Sequence, residues 1–260
     1  MKVSFSVITV TYNSKSDLLK TIKSVQAQIN ANFIHVIKDG LSTDETNEID
    51  FSRFQNTFFY ESKDNGIYDA MNQALDYAEN EYIIYLNAGD TFFSENTLFQ
   101  TSKKIKENPS FNSYIGGTLQ IDSFKQRLKR VIGLGKLYRY LPLAQLPHPS
   151  FIIKKSVLLK LKSPFDSTLK IAGDYKQQLV LREQKLWKTY YLKKIISVMP
   201  IGGISNQNRL AIIEGYKETF IFSYKIFNLL NIYIILLKLF LNFYYNFQLK
   251  KFNKKFNYFI

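Results

Sequence analysis

The stretch VSFSVITVTYN, residues 3–13, is the part of the sequence that decides the fold prediction. Its first eight residues are rich in Val, Ile and Phe and its last three are polar, which is typical of a buried strand that runs into a loop. Similar short apolar runs occur at 33–38, 57–61 and 82–86, and segments with helical spacing separate them. We therefore predict strands at 3–10, 33–38, 57–61 and 82–86 in an α/β fold with a mostly parallel central sheet flanked by helices.

Apolar residues at intervals of three and four predict the helices between these strands. The first helix has Leu18, Ile22, Val25 and Ile29 on one face. Ser14 and Asp17 stand where a capping pair would begin it. The second helix has a longer apolar face, formed by Ile67, Ala70, Met71, Ala74, Leu75 and Ala78. For the second half of the chain we predict strands near 113–120, at 150–154 and at 189–198, and a helix from about 174 to 184.

Composition excludes several classes of protein. The chain has 260 residues and no Cys, so a disulfide framework, a Cys-based zinc site, an iron–sulfur cluster and a thiol nucleophile are ruled out. The apolar run at the N-terminus is too short for a secretory signal, and we expect the chain to reside in the cytoplasm. The net charge of +14 is compatible with nucleic-acid binding, but a bias of the coding sequence toward Lys, Asn, Ile, Phe and Tyr would give the same composition.

The C-terminal segment, residues 219–260, differs from the rest of the chain. It holds six Lys, no acidic residue and fourteen Phe and Tyr. Its longest uncharged stretches, 226–237 and 239–249, are shorter than the roughly 20 residues that span a bilayer. Two interpretations stay open: a basic aromatic helix that lies in the interface of an anionic membrane, and a helix that packs on the body of the protein.

Polar side chains follow each of the four predicted strands. They occur in TYN at 11–13, DGLSTD at 39–44, KDNG at 63–66 and NAGD at 87–90. Any one of these motifs is explained by turn chemistry. In an open α/β sheet, however, ligands bind beyond the carboxyl ends of the strands, so four such motifs in succession favour a site for a polar ligand.

The absence of two common nucleotide-binding motifs narrows the classes of ligand that this edge could bind. Neither a Gly-x-Gly-x-x-Gly loop after the first strand nor a P-loop is present, so the usual cradles for dinucleotides and nucleoside triphosphates are absent from the sequence. A carboxylate can still bind phosphate through a divalent cation, and Asp90 suits that role. Asp39 could accept hydrogen bonds from a base or a ribose. The crevice is therefore predicted to bind a nucleoside diphosphate with Mg²⁺ or Mn²⁺.

The ordered set SVITVTYN (6–13), DGLSTD (39–44), DNGIYDAMN (64–72) and LNAGD (86–90) resembles the family 2 glycosyltransferases of bacterial surface-polysaccharide assembly. The resemblance is close over residues 3–93. It continues more thinly through three short motifs, HPS at 148–150, KIAGDY at 170–175 and GGIS at 202–205.

This resemblance implies a GT-A (Rossmann-like) fold with a helical C-terminal extension and an inverting, metal-assisted transfer from a nucleoside-diphosphate sugar, which we expect to be UDP-linked. It implies donor-binding roles for six strand-end residues, Thr11, Tyr12, Asn13, Asp39, Asp64 and Asn87. Asp90 would be the metal-binding member of the family's Asp-x-Asp element. Asn87 stands where the family usually has the leading acidic residue, and a subgroup looks similar in carrying Asn-Ala-Gly-Asp.

Two residues of the second half are candidates for the reaction itself. Asp174 matches the position of the family's catalytic base, although Asp at a helix start is also a common cap. His148 lies between Pro147 and Pro149 and is either a contact to metal or diphosphate or an ordinary loop residue. His35, inside the second predicted strand, is expected to be structural.

The sequence thus predicts a nucleotide-sugar-binding half at 1–108, an acceptor-binding half of the same domain at 109–206 and a basic aromatic helical tail at 207–260. The acceptor is expected to be lipid-linked or a glycan, met at the inner face of the cell membrane through the tail. Two other functions stay open: a catalytically inactive relative that binds a sugar nucleotide, and a basic protein that binds single-stranded nucleic acid.

Overall fold

The strand Ser4–Thr11 (β1) lies inside the sheet and pairs in parallel with a strand on each side. The computed structural model describes residues 3–122, 127–133, 143–202, 209–228, 232–241 and 243–244. Within these residues nine strands form one sheet, in which eight follow the order β3-β2-β1-β4-β8-β6-β9-β5 and β7 pairs with β6. The strands after β1 are β2 (Asn32–Asp39), β3 (Thr57–Glu61), β4 (Tyr82–Tyr85), β5 (Thr91–Phe92), β6 (Ser113–Asp122), β7 (Arg127–Ile132), β8 (Phe151–Lys154) and β9 (Thr189–Pro200).

The first four strands confirm the sequence prediction to within one residue at each end. They are mutually parallel, and β8 joins them to β6 through antiparallel pairing on both of its sides. The strands predicted at 150–154 and 189–198 and near 113–120 are also present. The sequence did not predict β5 or β7.

The register of the parallel strands aligns their carboxyl ends. Thr11, the last residue of β1, pairs with Asp39, the last residue of β2, and Asp39 pairs with Glu61 at the end of β3. The strand-end motifs therefore leave the sheet along one edge, as the sequence predicted.

Helices cover the sheet. They are α1 (Lys15–Gln26), α2 (Ile67–Asp76), α3 (Thr97–Glu107), α4 (Lys155–Leu158), α5 (Gly173–Glu183) and α6 (Arg209–Phe227), and residues 232–241 are also helical. Three short 3₁₀ turns lie at Thr46–Glu48, Phe51–Arg53 and His148–Ser150. Four of the six residues predicted for the apolar face of α2 are buried in the helix, whereas Ile67 is half-buried and Ala78 lies beyond its end. The buried face packs in one cluster with Ile8 and Val10 of β1 and Val36 of β2.

Two details predicted for α1 are wrong. The hydroxyl of Ser14 donates to the carbonyl of Tyr12 at 3.2 Å and does not cap the helix, while Asp17 pairs with Lys20 at 2.7 Å. Ile29 lies beyond the helix and is exposed, and the buried face is completed by Thr21. The expected capping box therefore does not form, and α1 depends on its packing against the sheet.

The C-terminal helices pack on the body of the protein. Phe222 of α6 contacts Tyr175 of α5 edge to face, and Ile234 of the following helix is buried in the same cluster with Leu179. Along the described residues there is no helix with the length and apolarity that a bilayer crossing requires. The rest of the predicted tail, from 245 on, and most of the GGIS motif lie outside the described residues.

His35 is structural, as the sequence predicted. The Thr9 hydroxyl donates to the carbonyl of Leu86 at 2.7 Å, so the hydrogen of the 2.8 Å contact between Thr9 Oγ1 and His35 must come from the ring Nε2. Burial lowers the pKa of His35 to about 3, which keeps the ring neutral inside the sheet.

Three buried hydroxyls join the His148–Ser150 turn to strands β6 and β9. Ser150 lies 2.7 Å from Thr118 of β6 and 2.7 Å from Ser197 of β9, and it donates to the carbonyl of Gly117 at 2.9 Å. All three hydroxyl-bearing residues are fully buried. Because hydrogen bonds in such a site have no competing water, the cluster fixes the position of the His148–Ser150 turn against β6 and β9.

We expect Ser150→Ala to lower the free energy of unfolding by about 1–3 kcal/mol, because it leaves the partners of a buried hydroxyl unsatisfied. Urea denaturation followed by circular dichroism measures the loss. Ser110→Ala, at an exposed position, is the matched control and should change little. Equal stabilities of the two variants would contradict the role of the cluster.

Candidate functional site

The loops after β1 and β2 are joined by hydrogen bonds. The backbone N–H of Asn13 donates to Ser42 Oγ at 2.8 Å, and Asn13 Oδ1 accepts from the N–H of Thr43 at 2.7 Å. Asp39 is fully buried, and its two oxygens accept from the N–H and the hydroxyl of Ser42 at 2.7 and 2.5 Å. The two loops therefore form one rigid wall at the carboxyl edge of the sheet.

Tyr12 is the exposed part of this wall. Its side chain is 62% exposed although its neighbour Thr11 is buried. A Cβ at Gly40 would lie 3.3 Å from Tyr12 Cδ2 and 2.7 Å from Asp64 Oδ2, so the Tyr12 ring, Gly40 and Asp64 lie side by side. A side chain at Gly40 would close this approach.

A buried ion pair, which sequence reasoning missed, holds Asp64. Lys38 Nζ is fully buried and donates to the carbonyls of Asp39 and Ser62, each at 2.7 Å, and to Asp64 Oδ2 at 3.3 Å. The other Asp64 oxygen accepts from the N–H of Gly66 at 3.0 Å, directly before α2. The ends of β2 and β3 are thereby joined at the same edge.

The loop after β4 is held by Thr21 of α1. The Thr21 hydroxyl donates to the carbonyl of Asp90 at 2.8 Å and accepts from the N–H of Gly89 at 3.0 Å, where the backbone is left-handed with φ 95°. Inside the described structure, the buried Thr11 Oγ1 and Asn87 Oδ1 have no hydrogen-bond partner. Unsatisfied buried oxygens are costly, so two of them at neighbouring strand ends indicate atoms that a ligand would satisfy.

Asp90 has a strongly perturbed carboxyl group. Burial raises the pKa of its carboxyl group to about 8, against a smaller opposing effect of a hydrogen bond from the Asn87 backbone. No cationic side chain of the described residues forms an ion pair with it. A bound cation would supply the missing compensation, so Asp90 fits the role of a metal ligand.

The structure does not gather a complete metal site from side chains. Among the residues it describes, no three His, Asp or Glu side chains cluster closely enough to hold an ion. His148 stacks on Tyr85 with ring centroids 5.3 Å apart and meets Phe165 edge to face at 5.6 Å. Its role as a metal contact stays a prediction, as does that of Asp90.

Asp174 lies at the start of α5, where the chain packs against α2. The ring of Tyr68 in α2 packs against Gly173, where a Cβ would lie 2.7 Å from Tyr68 Cε2, and its hydroxyl donates to the carbonyl of Ile171 at 2.7 Å. Asp174 Oδ1 accepts from the N–H of Tyr175 at 2.7 Å. Burial lowers the pKa of His148 while the negative charge of Asp174 opposes this, so the two side chains lie within electrostatic range.

The predicted site residues thus fall into three connected groups. Thr11, Tyr12, Asn13, Asp39 and Asp64 share one edge, Asn87 and Asp90 follow the adjacent strand β4, and Asp174, at the start of α5, lies within electrostatic range of His148. A second carboxylate near this last group, Glu218 of α6, was not singled out by sequence reasoning. Polar side chains gathered at the carboxyl edge of a mostly parallel sheet are typical of the GT-A glycosyltransferases, which use sugar nucleotides as donors.

The chain belongs to glycosyl transferase family 2, whose sequence model matches residues 6–160. It is 26% identical over 210 residues to a PGL/p-HBAD biosynthesis glycosyltransferase of Mycobacterium tuberculosis, which covers 78% of this chain and 79% of the relative. It is also 30% identical over 108 residues to the Escherichia coli UDP-Glc:alpha-D-GlcNAc-diphosphoundecaprenol beta-1,3-glucosyltransferase WfgD, which covers 41% of this chain and 43% of that protein.

Solved structures confirm the GT-A fold. Residues 1–349 of Staphylococcus aureus TarS, in complex with UDP-GlcNAc, match with a TM-score of 0.66 and 20% identity over 88% of this chain and 67% of that 1–349 chain. The Pyrobaculum calidifontis mannosyltransferase PcManGT, in complex with GDP-Man and Mn²⁺, matches with a TM-score of 0.64 and 16% identity over 86% and 64% of the two chains. At these identities the likeness shows the fold alone, and the chain spans about two thirds of each structure.

The raised pKa of Asp90 predicts how stability changes with pH when EDTA removes divalent cations. Unfolded, the carboxyl group loses its proton near pH 4, whereas in the folded protein it keeps the proton up to about pH 8. The folded state binds more protons in this window, so this group makes the free energy of unfolding fall as pH rises from about 4 to about 8. The fall is at most roughly 1.4 kcal/mol per pH unit.

Asp90→Asn removes this titration and should therefore flatten the pH dependence. Urea denaturation of both proteins at about pH 5 and about pH 8 measures the difference. Asp50→Asn, at the surface, controls for the loss of one charge. Parallel curves for the native protein and Asp90→Asn would show that Asp90 is ionised in the folded state.

Proposed function

We propose that this chain is an inverting glycosyltransferase that moves a hexosyl group from a UDP-linked sugar to a hydroxyl group of a lipid-linked or polysaccharide acceptor. The observation that carries the proposal is the connection of Asp174 to the donor-side loops through Tyr68 and α2. This connection would allow the carboxylate of Asp174 to act on the side of the sugar opposite a nucleotide bound at the strand ends. The UDP donors in the names of WfgD and of the TarS complex support the choice of nucleotide.

The donor would bind along the carboxyl edge of the sheet. The exposed ring of Tyr12 offers a face for a base, and the Thr11 and Asn87 oxygens that lack partners among the described residues could accept hydrogen bonds from hydroxyl or amide donors of the nucleotide. Each oxygen of Asp39 already accepts one hydrogen bond and retains the capacity for another. Asp64 would lie beside the nucleotide, and Asn13 would fix the wall on which it rests.

The divalent cation, Mg²⁺ or Mn²⁺, would be held by Asp90, with His148 as a second contact. When bound, such an ion stabilises the negative charge of the departing diphosphate without proton transfer. The chain itself contributes the fixed geometry of the 87–90 loop, which Thr21 holds from α1. The surface for the acceptor would come from residues 109–206, across the crevice from 1–108.

Asp174 would be the catalytic base. An acceptor hydroxyl has to lose its proton as its oxygen bonds to the anomeric carbon, and a carboxylate on the face opposite the leaving group can accept that proton. The C1–oxygen bond of the donor breaks in the same step, so the configuration at C1 is inverted. The contacts of Tyr68 and Gly173 fix the start of α5 and so fix where this carboxylate stands.

The test is hydrolysis of UDP-glucose, UDP-GlcNAc and GDP-mannose, measured with Mn²⁺ and with EDTA. We expect Mn²⁺-dependent turnover of a UDP sugar, and Asp174→Asn should lower kcat by on the order of a hundredfold or more while calorimetry shows UDP affinity unchanged. The exposed Asp76→Asn is the control. Binding without turnover in the native protein would indicate an inactive relative, and loss of UDP binding in Asp174→Asn would remove the base from this role.

We further propose that the C-terminal helices contact an anionic membrane at the inner face of the cell membrane. Both helices expose apolar residues at intervals of three and four, and Leu210 is the most exposed of them at 75%. These residues are Leu210, Ile213, Phe220, Ile221 and Tyr224 on α6, and Ile232, Leu236, Leu239, Phe240 and Phe243 after it. The exposed Lys217 lies among them, and residues 219–260 contain no acid and five Lys besides the buried Lys238, so the charge of this segment complements acidic headgroups.

We expect the protein to float with vesicles that contain phosphatidylglycerol and much less with vesicles of phosphatidylcholine alone, because each Lys near an anionic surface adds about 1 kcal/mol. The double substitution Leu236→Ser and Phe240→Ser should lower the bound fraction, and Leu159→Ser, an exposed apolar residue of the body, should not. Light scattering in the absence of lipid tests whether a second copy of the chain covers this face. A dimer that the double substitution dissociates would assign the face to a second copy of the chain.

A further inference from the structure

Glu218 of α6 binds the backbone immediately before Asp174. Its carboxylate accepts from the N–H groups of Lys170 at 2.7 Å, Ile171 at 3.0 Å and Ala172 at 2.8 Å. The side chain is buried, and it is the last acidic residue of the sequence. Three successive N–H groups thus share one carboxylate, an arrangement in which each hydrogen bond is strengthened by the charge.

The same segment is held from its other side. Tyr68 donates its hydroxyl to the carbonyl of Ile171 at 2.7 Å, while Glu218 binds the N–H of that residue. A Cβ at Gly215, one helical turn before Glu218, would lie 2.9 Å from Ile171 Cγ2, so α6 approaches the segment closely. Residues 170–172 are therefore clamped between α2 and α6, and Asp174 follows two residues later.

A buried cation balances the charge of this arrangement. Lys238 Nζ donates to Thr219 Oγ1 at 2.9 Å, and it lies 5.6 Å from the ring centroid of Tyr175 and 5.0 Å from that of Tyr216. Burial lowers the pKa of Lys238 to about 8, and the negative charges of Asp174 and Glu218 oppose this shift. The ammonium group is thus close enough to both carboxylates to interact with them.

We propose that Glu218 is a positioning residue for the base: by ordering residues 170–172 it fixes Asp174 at the start of α5, so that the C-terminal helices are part of the catalytic machinery. The inference rests on the proposed transferase function. It assigns to α6 a role in the reaction that is separate from any contact with a membrane.

The substitution Glu218→Gln tests this role with little change of volume. One carboxylate oxygen becomes an NH₂ group that faces backbone N–H donors, so at least one of the three hydrogen bonds is replaced by a repulsive contact. We expect kcat for hydrolysis of the UDP sugar to fall on the order of tenfold or more, because a lost charge-assisted hydrogen bond is worth about that factor. The dissociation constant of UDP with Mn²⁺ should stay within about twofold, since the donor side is untouched.

Glu214→Gln is the matched control, because Glu214 is exposed on the same helix and only 4.0 Å from Lys217. Tyr68→Phe is the second test variant. It removes the hydrogen bond to the carbonyl of Ile171 but keeps the ring, so it should also lower kcat without changing UDP affinity. The double variant of Glu218→Gln with Asp174→Asn should be no less active than Asp174→Asn alone, because the two residues act as a unit.

Hydrogen exchange of the same variants measures how well the backbone at 170–172 is protected, and it needs no substrate. Amides 170–172 should exchange about tenfold or more faster in Glu218→Gln than in Glu214→Gln, while those of β1 and β4 are unchanged. If the native protein turns over a UDP sugar but Glu218→Gln keeps its kcat, this inference fails and the proposed function stands. If the native protein turns over none of the three donors, the proposed function fails and the catalytic role of Glu218 falls with it.

Discussion

Buried charge at the carboxyl edge of the parallel strands is the constraint on which this structure depends. The parallel register brings Thr11 and Asp39 together, and with them several ionisable groups that water no longer solvates. Removing an ion from water costs several kcal/mol, so each group needs a partner. Asp39 has the N–H and hydroxyl of Ser42, and Asp64 has Lys38. These compensations hold the loops in place, which is why this edge of the sheet is preformed.

Asp90 differs from the other carboxylates at that edge because it lacks a side-chain partner of this kind within the described part of the chain. Its carboxyl group is buried like the others, but among the described residues it has no cationic partner, so burial raises its pKa. The fold provides side-chain partners for the carboxylates of Asp39 and Asp64 but, in the residues that the structure describes, none for that of Asp90. It therefore has a preference for positive charge beside Asp90. A cation that arrives with a diphosphate would satisfy that preference and the orphaned oxygens of Thr11 and Asn87 together.

The parts of the fold that could be predicted from the sequence are those with a clear local pattern of apolar residues. Strands β1–β4 and the apolar face of α2 have clear periodicity, and the strand-end motifs follow from them. Helix α3 was missed because two of its four buried residues, Thr97 and Thr101, are polar, and β5 because it is two residues long. Lys38 was missed because a lysine at the end of a strand suggests an exposed side chain, and two of its partners, the Ser62 carbonyl and Asp64, are 24 and 26 residues away in the sequence. Such contacts depend on tertiary structure, which periodicity does not encode.

The C-terminal helices show most clearly that sequence patterns do not predict tertiary contacts. Their composition suggested either a membrane surface or a packed helix, and the structure has features of both, because one side is buried against α5 while apolar side chains remain exposed on the other. Glu218 lies on the buried side, 44 residues after Asp174 in the sequence, and binds the backbone just before it. The proposed membrane contact and the observed contact with the start of α5 fall on the same helices, which would connect the two mechanically. Under the proposed function, a lipid-linked acceptor delivered at the membrane would meet a base that the same helix holds in place.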